Sequence, residues 1–164
     1  MHTENNLSTI IQYFITHNIT ISSAESCSGG LISKMITDIP GCSAIYPGGV
    51  CAYSNEMKIK WLNVKSSTLE QYGAVSAETA LEMAQGIRNV TGSDYGISTT
   101  GIAGPGGGSA EKPVGLVYIG ISYKDNTRFI KLNLFGSRSK IREMAACYAI
   151  NEVRKTILGG INNG

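Results

Sequence analysis

Residues Ile19–Leu31 read ITISSAESCSGGL. A β-branched run (Ile19, Thr20, Ile21) stops at two serines, a turn of small residues follows, and Leu31, Ile32, Met35 and Ile36 then recur at helical spacing. The pattern is a strand, a tight turn and a helix N-terminus. Ser26, Cys27 and Ser28 are expected at or just before the first helical turn, where free N–H groups point outward and the helix dipole is positive. Gly29 and Gly30 lack a β-carbon, so a ligand or another stretch of backbone can approach closely. Two glycines early in a helix cost roughly 1 kcal/mol each relative to alanine. Two readings stand at this point. The serines cap the helix, as serine most often does there, or the turn presents a nucleophile beside donors for an oxyanion or phosphate.

Working outward, Leu7, Ile10, Ile11 and Phe14 predict an amphipathic helix before the strand, and Asn18 ends it. After the second helix, Asp38–Gly41 is a turn. Gly48 and Gly49 open a strand that runs to Tyr53, and Ser54 or Asn55 caps a short helix carrying Lys58. Lys65–Tyr72 is a further short helix, broken by Gly73. Ser76–Asn89 has the apolar face Ala80, Met83, Ala84 and Ile87, with Ser76 as its cap. Tyr95–Thr100 is a strand of small residues that ends in the glycine loop Gly101–Pro113. Val114–Tyr123 and Thr127–Phe135 are joined closely enough to form an antiparallel hairpin. Ser137–Leu158 is the last helix, with Ile141, Met144, Ala145, Tyr148 and Val153 inward, and the tail GGINNG is expected to fray. The expectation is an α/β fold of three layers, α/β/α. Its sheet is mixed and mostly parallel, with about five strands including a C-terminal antiparallel hairpin.

The chain has 164 residues, which suits a single domain, 1–164, with a substantial core. A net charge of +2 gives no footprint for nucleic acid. The four cysteines (Cys27, Cys42, Cys51, Cys147) form no CxxC pair and no metal-ligand spacing with His2 or His17. No apolar run is long enough for a membrane span, and the N-terminus is polar rather than signal-like. A reduced, cytoplasmic protein is expected, with no metal, cofactor, nucleic-acid or membrane partner.

Ligands of open α/β sheets bind beyond the carboxyl ends of the parallel strands. Ser26–Gly30, Tyr53–Lys58 and Thr100–Gly108 all follow such ends. Their convergence is the residue-level case for a site. Taken alone, Lys58 reads first as a solvated lysine and Tyr53 as core or rim packing, and Cys27 reads as a thiol acidified by the helix end and a rival nucleophile. Arg138 and Arg142, four apart on one helical face, are either solvated or aimed at an anion. The other cysteines read as buried and inert.

The motifs AESCSGG, YPGGVCAYSNEMK, GAVS, TTGIAGPGGG and EKPVGLVYI, with the closing R-x-x-x-R of Arg138 and Arg142, resemble the CinA C-terminal domain family. The resemblance runs roughly from Leu7 to Val153. It implies a PncC-type amidohydrolase that converts nicotinamide mononucleotide (NMN) to nicotinate mononucleotide and ammonia without a metal. It also implies Ser26 as nucleophile, Lys58 as general base and Tyr53 close by. The substrate contacts expected are Cys27, Ser28, Gly29, Gly30, Gly48, Gly49, Asn55, Thr100, Gly101, Gly104, Arg138 and Arg142. Ser28 stands where threonine is common in the family and keeps the hydroxyl. Ser–Lys pairs are a known variant of nucleophile and base, and neither histidine is placed for the role. The oxyanion is expected to face N–H groups at Cys27–Gly29 or the Thr100–Gly101 turn, with Thr100 also offering its hydroxyl. Arg142 is preferred over Arg138 for the substrate phosphate. Burial and a cationic neighbour are expected to lower the Lys58 pKa. Many relatives carry a further N-terminal domain with pyrophosphatase activity, which is not expected here. A homo-oligomer, most simply a dimer, is expected from the resemblance and from the small-residue helix Ser76–Asn89. The competing readings are a non-catalytic nucleotide-binding or regulatory module of the competence type, and a dinucleotide-binding domain. No GxGxxG follows the first strand, which counts against the latter.

Overall fold

β1 (Ile21–Glu25) lies between two parallel neighbours. On one side is β2 (Gly48–Cys51), with Ser22 opposite Gly48 and Glu25 opposite Cys51. On the other is β3 (Tyr95–Gly101), with Ile21 opposite Tyr95 and Glu25 opposite Thr99. A parallel strand covered by helices on both faces is buried throughout, and all of β1 is buried. That explains its small, non-alternating side chains. The computed structural model describes residues 2–161. β4 (Leu116–Tyr123) and β5 (Asn126–Asn133) add two antiparallel pairings and complete the order β2-β1-β3-β4-β5. Only β4 opposes the common strand direction, so the expected mixed, mostly parallel sheet of five strands is present. The two-residue turn Lys124–Asp125 closes the hairpin, with Lys124 at φ +49°.

Two helical layers cover the sheet. On one face lie α1 (His2–Thr16), α2 (Leu31–Thr37) and α6 (Arg138–Ile161). Their core joins Ile11, Phe14, Ile32, Ile36, Ile141 and Ile150 to Ile21, Ile97, Ile119 and Ile121 of the strands. Each fully buried side chain of this size contributes about 1.5–3 kcal/mol. On the other face lie α3 (Asn55–Leu62), α4 (Ser66–Tyr72) and α5 (Ala77–Thr91), around Ala24, Ala52, Leu62, Val64, Met83 and Ile87. Among the described residues no helix is long and apolar enough to cross a membrane.

Several expectations need correction. α2 begins at Leu31, after a turn in which Gly29 and Gly30 have φ +59° and +97°. The serines therefore stand before the helix and do not cap it. α5 turns its small residues toward the sheet. Its Ala80, Ala84 and Gly86 are buried, and a β-carbon on Gly96 or Gly120 would meet the Ala84 or Ala80 carbonyl at 2.2 Å. Its small residues serve close helix–sheet packing, so they give no ground for an oligomer interface. In α6, Ile141, Ala145 and Val153 are inward as expected, joined by Ala146, Ala149 and Ile150, but Tyr148 is exposed. Cys51 is exposed and Cys42 and Cys147 are half-buried rather than buried; all four cysteines are free. α6 runs on to Ile161, so the expected fraying tail is helical that far, and residues 162–164 lie outside the described residues.

Candidate active site

Lys58 is carried by the first turns of α3, where the Ser54 side chain accepts from the Met57 N–H and fixes the helix start. The lysine is 1% exposed. Its Nζ donates to the Ala52 carbonyl at 2.8 Å, to the Tyr53 carbonyl at 3.1 Å and to Ser26 Oγ at 3.1 Å. Burial pushes its pKa down to about 8. Desolvation alone lowers it, without the cationic neighbour the sequence suggested. Once one proton leaves, two N–H bonds can stay on the two carbonyls and the lone pair falls to Ser26. Ser26 follows β1 directly, and its N–H is tied to the Thr99 carbonyl of β3 at 2.9 Å. The neighbouring thiol of Cys27 is pushed up to about 11, chiefly by burial. Cys27 therefore stays protonated at neutral pH, the opposite of the acidified thiol that a helix N-terminus suggested.

A cavity of about 220 Å³ is lined by Cys27, Tyr53, Gly101, Ile102, Ala103, Gly104, Gly106, Gly107 and Arg138; Ser26 and Lys58 are not among these residues and adjoin it through their chain neighbour Cys27 and through Tyr53. It lies where the segments after β1, β2 and β3 meet. Arg138 bridges its rim, donating to the Gly104 carbonyl at 2.7 Å and to the Tyr53 hydroxyl at 3.1 Å. Tyr53 is 63% exposed. Arg142 instead braces the Ser26 turn from outside the cavity, with Nε on the Cys27 carbonyl at 3.2 Å and Nη2 on the Ser28 carbonyl at 3.1 Å.

Residues 4–157 match the model of the family described as the CinA C-terminal domain. The chain belongs to that family. It is 50% identical over 144 residues to a protein of Clostridium novyi named as competence-damage inducible, covering 88% of this chain and 35% of that one. It is 53% identical over 140 residues to a CinA-like protein of Kosmotoga olearia, covering 85% and 34%. The chain thus spans about a third of the length of the curated relatives it matches. Among solved structures, the competence/damage inducible protein CihA of Agrobacterium tumefaciens superposes with a TM-score of 0.90 at 38% identity, covering 94% of this chain and 95% of that one. A CinA superfamily protein of Klebsiella pneumoniae superposes with a TM-score of 0.91 at 27% identity, covering 97% and 99%.

In this CinA-family domain, Ser26, Lys58, Tyr53, Cys27, Gly101, Gly104 and Arg138 come together as expected. Other expected contacts do not join them. Thr100 is buried and donates its hydroxyl to the Ala74 carbonyl at 2.6 Å, so that hydrogen is unavailable to an oxyanion. Ser28 is buried, and its hydroxyl lies 2.7 Å from Glu25 and 2.6 Å from Thr99. Gly48 and Gly49 pair with Ser22 and Ser23, away from the carboxyl end of β2. A β-carbon at Gly49 would meet the Tyr46 hydroxyl at 2.2 Å and Ser23 Oγ at 2.3 Å, so that glycine serves packing. Gly29 gives room to Arg142, whose Nη2 would lie 2.7 Å from an added β-carbon, and Gly30 faces Cys51. Asn55 is exposed at the start of α3 and does not line the cavity. Of the two arginines expected to reach an anion, Arg142 lies outside the cavity on two carbonyls, and Arg138, which holds the Gly104 carbonyl and the Tyr53 hydroxyl, lines it.

The residue missed by sequence reasoning is Glu25. It is fully buried. Its Oε2 accepts from the Gly30 and Ile32 N–H groups at 2.9 and 3.0 Å, and its Oε1 from the Ser33 N–H at 2.9 Å and Oγ at 2.8 Å. The head of α2 is therefore closed to any phosphate. By its sequence pattern the strand ends at Ile21 and Glu25 falls in the turn, whereas β1 runs on to Glu25.

Proposed function

We propose that this chain hydrolyses the carboxamide of NMN to nicotinate mononucleotide and ammonia. The observation that carries the reading is the buried Lys58 amine, 3.1 Å from Ser26 Oγ and with its pKa lowered to about 8. An amide is a poor electrophile, and a serine hydroxyl needs a base to attack it. Lys58 Nζ takes the Ser26 proton as Oγ bonds to the carboxamide carbon. It then returns a proton to the departing nitrogen, which leaves as ammonia. A water attacks the resulting nicotinyl ester, Lys58 accepts its proton, and the carboxylate is released as Ser26 recovers its hydrogen. The Cys27 and Ser28 N–H groups are the oxyanion donors in this reading. Those of Ser26, Gly29, Gly30 and Ser33 go to Thr99, Ser26 and Glu25. Arg138, at the rim, meets the 5′-phosphate.

The test is ammonia release from NMN against nicotinamide, with Ser26→Ala as the blank. Turnover of NMN that disappears in the folded Ser26→Ala variant supports the reading. Release no greater than the blank overturns it. The relatives' names refer to competence and damage rather than to a reaction, which favours a second reading, a regulatory module that holds a nucleotide. That reading expects calorimetric binding of NMN with no ammonia.

A further inference from the structure

The carboxylate of Glu25 is held by more donors than capping a seven-residue helix requires. Besides the three N–H groups at the head of α2, it receives the hydroxyls of Ser28 and Ser33, with Ser23 at 3.4 Å. Burying a carboxylate is costly unless such bonds offset it. An ordinary cap would use a serine of the turn itself. Here the turn's own Ser28 hydroxyl points to Glu25, and the turn stays outside the helix. Arg142 grips the same turn by the Cys27 and Ser28 carbonyls. A peptide unit is planar and trans, so holding the Cys27 carbonyl turns the Ser28 N–H to the opposite side from Arg142.

We propose that Glu25 is a positioning residue. By holding the Ser28 hydroxyl and the head of α2, it fixes the Cys27 and Ser28 N–H groups as donors for the oxyanion formed when Ser26 attacks. The inference rests on the reading of Ser26 as a nucleophile, and it assigns the shape of the turn to a carboxylate that touches no substrate. Only an acceptor without hydrogens satisfies this set of donors; a glutamine would turn an NH2 against some of them.

Ser28→Ala and Ser33→Ala separate the catalytic effect from the structural one. Each removes one hydroxyl from the same carboxylate, the first on the turn and the second inside α2. Both are expected to lower the urea midpoint. Ser28→Ala, and Glu25→Gln where it folds, should lower kcat for NMN about 10- to 100-fold, the scale of a misplaced oxyanion donor. KM should stay within threefold, and the ascending limb of the pH profile should not move. Ser33→Ala should keep its kcat. Equal kcat losses in the two serine variants, or a folded Ser28→Ala with kcat within twofold of the original, would overturn the proposal. A fluorophosphonate probe read by intact mass tests it without NMN. Labelling at Ser26 that slows at least tenfold in Ser28→Ala supports the positioning role even where NMN is not turned over, so the substrate reading alone then fails. A starting protein that neither turns over NMN nor labels at Ser26 overturns the inference as well.

Discussion

A charged lysine amine has three hydrogens and no lone pair, so the three acceptors around Lys58 Nζ describe its resting form. Catalysis in the proposed reaction needs the neutral form. With the pKa lowered to about 8, the neutral fraction rises with pH through that value. kcat/KM for NMN should therefore climb to a plateau above about pH 8, and an activity already flat from pH 6 upward would contradict Lys58 as the base. Lys58→Arg should be nearly inactive across that range, because a guanidinium keeps its protons; retained activity would make Tyr53 or a water the base to test. The arginines offer a second test. Arg138→Ala removes the charged group at the cavity rim, and losing a charge-assisted bond costs about 1.5–3 kcal/mol. Its KM for NMN should rise roughly 10- to 100-fold, while nicotinamide riboside, which lacks the phosphate, is little affected. Arg142→Ala, which frees the Cys27 and Ser28 carbonyls, should lower kcat for both substrates alike. The reverse pattern would restore the expectation drawn from sequence.

At the scale of elements, α5 and α3 meet through a glycine. A β-carbon at Gly86 would lie 2.0 Å from the Leu62 carbonyl oxygen, which is backbone and cannot rotate away. Helix propensity alone predicts that Gly86→Ala stabilises α5 by up to about 1 kcal/mol. The clash outweighs this, since overpacking costs about 1–3 kcal/mol. Gly86→Ala should thus lower the urea midpoint, and a raised midpoint would refute the close-packing account. Leu62 is one turn beyond Lys58 on α3, so kcat should fall too as the amine moves from Ser26. The legible features of these elements were the local ones. Ser54 and Ser76 cap α3 and α5 as their sequence predicts, because the capping bonds lie within a few residues. The head of α2 was misread because its cap is Glu25, reaching forward from the preceding strand. The apolar face of α5 was legible, and Ala80, Met83, Ala84 and Ile87 are buried. How closely it packs was not, because that depends on Gly96 and Gly120 of the strands beneath it.

On the scale of the whole molecule, the site was legible because it depends on topology. Segments following β1, β2 and β3 must meet at one sheet edge once those strands run parallel, and Ser26, Tyr53 and Gly104 do. Side-chain direction was not legible: Thr100 faces Ala74, and Arg142 faces the turn, for reasons set by residues far along the chain. The same topology governs how the molecule unfolds. Helices of both faces pack against the same strands β1 and β3, so neither layer can open without exposing strands the other covers, and a single cooperative transition is expected. Trp61, the only tryptophan of the chain, lies on α3 with 45% of its surface exposed, and its emission reports that helix. Far-UV ellipticity is weighted toward the helices of both faces, including the long α6 on the opposite one. In urea the two signals should share one midpoint, and separated midpoints would show the faces unfolding independently. The homo-oligomer proposed from the family resemblance adds a second condition. Association restricted to the native state raises that shared midpoint as protein concentration rises. A midpoint independent of concentration, with light scattering giving only 17.4 kDa across the micromolar range, would leave a monomer. The site would then be complete within one chain.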